Sequence, residues 1–136
     1  MKGAIEHARG LVWKAENDLR IAELGVEHKT SLDMVCFHLQ QAVEKLLKAA
    51  LTCRDVDYPP THDLMALMDL AEPHYPGLKT FRSLLPGLSR YAVRIRYDPS
   101  LYPGLDEVWA ARDTANRFRD SMYKLLPPET LRPGPS

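Results

Sequence analysis

Residues 36–48, C-F-H-L-Q-Q-A-V-E-K-L-L-K, crowd a dense apolar face and a dense polar face into one short segment. Extended from residue 31 to 52 and turned through about 100° per residue, it gathers Val35, Cys36, Leu39, Ala42, Val43, Leu46, Leu47, Ala49 and Ala50 in an arc of roughly 160°. A stripe that broad touches several neighbours, which makes this the central helix of a bundle. The opposite arc carries His38, Gln41, Glu44, Lys45 and Lys48, with Phe37 among them. Thr30 is the expected N-cap, with Asp33 placed to imitate a capping box.

On the N-terminal side, residues 4–24 repeat Ile5, Ala8, Val12, Ala15, Leu19 and Ala22 at helical spacing, with Glu16 and Arg20 as an i,i+4 pair and Gly25 closing the helix. On the C-terminal side, Pro59 and Pro60 make residues 54–60 a loop, after which Thr61 caps a short helix with Leu64, Leu67, Met68 and Ala71 inward. Residues 78–94 predict a fourth helix with Leu84, Leu88, Tyr91 and Ile95 on its apolar face, kinked or divided at Pro86-Gly87. The last helix, residues 105–126, sets Val108, Ala111, Ala115, Phe118, Met122 and Leu125 in one stripe, with Asp113–Arg117 and Asp120–Lys124 pairs outside it. No strand is indicated. The expected fold is all-α, an antiparallel up-and-down bundle of four to five helices over residues 1–126, followed by a proline-rich tail, 127–136, that is extended or disordered.

Apolar residues at 45% and charged residues at 26% fit one ordinary globular domain. Net charge is zero, but residues 1–78 hold 8 basic and 12 acidic groups against 10 and 6 in residues 79–136, so the halves carry −4 and +4. That asymmetry makes either a basic face for phosphates or an attraction between the halves. No apolar stretch follows Met1 and none spans a membrane, and Cys36 and Cys53 stand too far apart on one helix to bridge, so a reducing cytoplasm is expected.

Neither a P-loop nor a G-x-G-x-x-G fingerprint occurs, which excludes the conventional nucleotide loops, and no spacing of His and Cys suits a metal. No catalytic residue, metal or cofactor is assigned. Cys36 falls on the core arc, where a buried thiol is inert. Two polar groupings remain. One is the wet arc of the central helix; the other is Arg90, Arg94 and Arg96, interleaved with Tyr91 and Tyr97, a pattern of guanidinium forks for phosphate and ring faces for bases.

C-F-H-L-Q-Q-A-V-E-K-L-L-K-A-A-L at 36–51, P-P-T-H-D-L at 59–64 and R-Y-D-P at 96–99 resemble the HEPN domain (higher eukaryote and prokaryote nucleotide-binding domain) from about residue 15 to 126. The resemblance implies a homodimeric helical bundle, often encoded beside a minimal nucleotidyltransferase in a toxin–antitoxin-like pair. Many HEPN proteins are metal-independent ribonucleases that use an R-x(4–6)-H motif. Here no histidine follows His74, and arginine stays protonated, so it supplies no base for the 2′-hydroxyl. The chain therefore resembles the non-nucleolytic branch. Lys45, Lys48, Arg90, Arg94 and Arg96 are expected to hold phosphates, Phe37 and Tyr97 to stack, and His38 and Gln41 to add polar contacts to a nucleotide or RNA. The alternatives are an interaction and dimerisation module that binds no nucleotide, for which Trp13 and Trp109 offer exposed aromatic surface, and a ribonuclease with Tyr97 or His62 as an unorthodox base.

Overall fold

Two long helices joined by a tight turn carry the fold in the computed structural model, which describes residues 2–132. They are α1, Lys2–His28, and α2, Leu32–Cys53. The apolar arc of α2 is buried throughout, from Val35 and Cys36 through Leu39, Val43, Leu46 and Leu47 to Ala50. Each fully buried Leu or Val there contributes about 1.5–3 kcal/mol.

Gly25 does not end α1 as expected; the helix runs one turn further. It stops where Lys29 takes φ 49 and the amides of Thr30 and Lys29 return to the carbonyls of Gly25 (3.0 Å) and Val26 (3.2 Å). This is a Schellman closure with lysine in the left-handed position. Thr30 therefore belongs to that closure and is not the cap of α2, whose N-cap is Ser31 without a side-chain bond. The amide of Leu32 donates instead to the phenol of Tyr102 at 3.0 Å, a cap from 70 residues away in the chain. Gly25 serves a different purpose: a Cβ there would collide with Cγ2 of Val35, so the missing side chain lets α1 and α2 touch. Gly25→Ala is expected to destabilise by about 1–3 kcal/mol through overpacking, seen as a lower urea midpoint at unchanged slope.

The short helix α3, Leu64–Ala71, buries Leu64, Leu67, Met68 and Ala71. Its cap is Asp63, whose carboxylate accepts from Met65 N at 2.9 Å, whereas Thr61 accepts from Asp63 N one step earlier. The expected fourth helix is broken into a 3₁₀ turn at Pro76–Phe81, the five-residue α4, Leu85–Ser89, and a second 3₁₀ turn at Arg94–Arg96. Pro86 opens α4 rather than kinking a longer helix, as a residue without an N–H can at a helix start. Leu88, Tyr91 and Ile95 are buried as expected, but Leu85 takes the inward place assigned to Leu84.

The last helix, α5, Leu105–Leu125, buries its stripe up to Met122; Leu125 is turned out and Leu126 is buried in its stead. The tail does not start out extended. It forms a 3₁₀ turn, Pro128–Leu131, with Thr130 fully buried, and residues 133–136 lie outside the described residues.

Ion pairs between sequence halves show how the charge asymmetry is used. Arg112 forks onto Glu23 (2.6 and 2.9 Å), Arg119 meets Glu16 (2.7 Å), and Arg82 bridges Asp69 and Glu72 (2.7 and 2.6 Å). These contacts run α5 antiparallel to α1, which is itself antiparallel to α2. Glu16 is therefore held by Arg119 and Tyr123 and not by Arg20, which turns to Asn17. Asp113 does pair with Arg117 at 3.5 Å, while Asp120 meets Arg119.

Candidate functional site

The polar arc of α2 divides into two internal clusters. On the side facing α1, the nearly buried Asp18 takes Lys45 Nζ on Oδ2 at 2.6 Å and His38 Nδ1 on Oδ1 at 2.8 Å. On the side facing the 54–63 loop, Glu44 is 3% exposed and accepts from Gln40 (3.3 Å), Gln41 (3.3 Å), His62 (3.0 Å) and Lys48 (3.0 Å). Gln40 also reaches the carbonyl of His62 at 3.0 Å, which clips the loop to the helix. An ionised carboxylate so placed is tolerable only with such a set of donors. Lys45, Lys48 and Gln41, expected to contact a nucleotide or RNA, are thus engaged within the fold.

The arginines lie on the broken segment after α4. Arg90 and Arg94 line a pocket of about 460 Å³ floored by Ile95, Leu101 and Pro103. Arg90 donates to the Tyr91 hydroxyl at 2.8 Å and to Glu107 at 3.3 Å, and Arg94 donates to Asp98 at 3.2 Å. The hydrogen bond to Tyr91, with Glu107 nearby, raises the Arg90 pKa further, while burial raises that of Tyr91. Hydrogen bonds from Ser100, with Arg94 beside them, hold Asp98 below its usual range.

Arg96 differs from the other four cations: among the described residues it has no carboxylate partner. Its guanidinium carbon lies 4.6 Å from the Phe37 ring centre and 5.2 Å from that of Tyr97. Tyr97 is 72% exposed, and Phe37 is half-buried with its other contacts in the core. Phe37, Arg96 and Tyr97 are therefore brought together as an aromatic–cation stack at the surface, and His38 meets Phe37 edge-on with ring centres 5.3 Å apart.

Asp18, Gln40, Glu107 and Tyr102 were not singled out from the sequence, because a lone acid or amide in an amphipathic pattern gives no sign of a partner on another element. Burial pushes the Cys36 thiol up to about 12, so it stays protonated and is no nucleophile. Among the described residues no three His, Cys, Asp or Glu side chains group to hold a metal ion, and no helix is long and apolar enough to cross a membrane.

The described residues thus form an all-helical domain that sets the Arg96 guanidinium against the Phe37 and Tyr97 rings on an exposed face. The HEPN domain family model matches residues 8–125, nearly all of the described chain, and the protein belongs to the HEPN family. At family level this makes it a nucleotide- and RNA-related helical domain. No curated protein and no solved structure matches the chain significantly.

Proposed function

We propose that this HEPN domain binds a nucleotide or RNA at the Phe37–Arg96–Tyr97 stack without cleaving it, as a homodimer working with a minimal nucleotidyltransferase in a toxin–antitoxin-like pair. The observation that carries the binding reading is Arg96 itself, an exposed guanidinium against the Phe37 and Tyr97 rings with no carboxylate partner among the described residues. Its charge is available to a phosphate, and Tyr97 offers an open ring face to a base. Arg90 and Arg94 stand on the neighbouring pocket as further phosphate contacts. The lack of any histidine after His74 supports a non-nucleolytic role, since the broken segment then holds no group that takes up a proton near neutral pH.

Arg96→Ala is expected to weaken binding of a labelled single-stranded RNA about tenfold or more, because a hydrogen bond to a charged group contributes about 1.5–3 kcal/mol. Fluorescence anisotropy checks this, and affinity that survives the change would sink the assignment. A second reading, an interaction module that touches no nucleotide, draws on the pairing of Lys45, Lys48, Arg90 and Arg94 within the fold. It prevails if no RNA or nucleotide binds while a protein partner co-purifies from native cells in fixed proportion.

A further inference from the structure

Along the outer face of α1, Lys14, Asn17, Ile21, Leu24 and His28 follow one another at alternating steps of three and four residues. This is a heptad seam, and it lies opposite the core stripe of Ala8, Val12, Ala15 and Ala22. Its centre is apolar and open. Ile21 is 52% and Leu24 51% exposed, and with Met34 of α2 they edge a groove of about 430 Å³. Arg20 and Glu27, one heptad apart, flank the seam on a single side. Both are exposed, and among the described residues neither meets a side chain of opposite charge; Arg20 reaches only the Asn17 side chain, at 3.4 Å.

A second copy of the same helix fits this seam in one arrangement. With the two helices antiparallel about a two-fold axis between Ile21 and Leu24, each Ile21 lies opposite Leu24 of the other copy and each Asn17 opposite His28. The residue before Ile21 and the third residue after Leu24 flank that layer on the same side, so Arg20 faces Glu27 of the other copy, and symmetry makes the pair twice. Sliding one copy by a heptad sets Arg20 against Arg20 in one direction and Glu27 against Glu27 in the other, while Ile21 meets Asn17 or Leu24 meets His28. A parallel pair places Arg20 beside Gly25 and forms no ion pair. Attraction in one register and repulsion in its neighbours is how flanking charges select a partner. We propose that α1 docks antiparallel on α1 of a second copy of this chain, with Ile21 and Leu24 as its apolar centre and Arg20 and Glu27 fixing the register. The proposal names the face of the homodimer in the functional reading above and rests on that dimer, but not on RNA binding.

Sedimentation velocity over a concentration series of the full chain tests it. The unchanged chain should dimerise, and Leu24→Glu should leave a monomer with unaltered helical circular dichroism, since the side chain it replaces is half in solvent. Arg20→Glu or Glu27→Arg alone should raise the dimer dissociation constant about tenfold, because each turns two attractions into two repulsions, and both together should return it to within about threefold of the original. A dimer that survives Leu24→Glu, or single reversals that the double reversal does not rescue, overturns this face and leaves a homodimer built on another. A chain that stays monomeric at every concentration overturns both the face and the homodimer.

Discussion

Glu44→Ala is expected to cost about 3–5 kcal/mol of unfolding free energy, because it removes one partner from a buried charged network. The carboxylate is 3% exposed and collects four donors, from Gln40, Gln41, Lys48 and His62. Truncation leaves Nε2 of the fully buried Gln40 with the His62 carbonyl alone, while its Oε1 still accepts from Gln41, and leaves Lys48, 16% exposed, without its counter-ion. His62, half in solvent, can turn to water and loses least. Glu44→Gln should cost less, since its carbonyl oxygen still accepts, although its amide then faces Lys48. Urea unfolding of the two variants checks the order; a loss under about 1 kcal/mol for Glu44→Ala would mean that the network is not needed to hold the 54–63 loop on α2.

Phe118→Ala should be comparably severe, at about 3–5 kcal/mol, for a different reason. Its ring is fully buried on α5 and meets Phe81 edge-on, with centres 5.1 Å apart at 84°. Removing it loses the transfer free energy of the ring and leaves a void that rigid helices only partly close. Against a total of about 5–15 kcal/mol for a domain, that is a large share. Thermal unfolding should show a midpoint lowered by many degrees, and a near-native midpoint would mean that α5 can collapse onto Phe81 and fill the gap.

Much of the fold was legible in one dimension because a helix encodes its buried face by spacing alone. The arc from Val35 to Ala50 and the stripe from Val108 to Met122 follow from a turn every 3.6 residues and need no knowledge of neighbours. The segment after residue 76 was less legible. Its apolar positions at Leu88, Tyr91 and Ile95 were correct, but whether they sit on one helix or three short turns depends on what each turn packs against. The caps were misplaced for a similar reason: Thr30 has the right chemistry, yet the Schellman closure of α1 takes its amide and Tyr102 supplies the cap.

For the candidate site, residue types were visible in the sequence and pairings were not. Charge at Lys45, Lys48, Arg90, Arg94 and Arg96 is plain from the chain, but which of these cations is already neutralised depends on acids brought from α1, α5 or an adjoining turn. By itself the sequence determined an all-helical bundle about α2, its HEPN resemblance and the absence of a histidine beyond His74, since each is a matter of spacing and identity along one chain. Only the tertiary structure decided that Arg96 lies on Phe37 and that Asp18 fixes the His38 ring, because Coulomb and stacking contacts act over a few ångströms in space, between residues that sequence distance keeps apart.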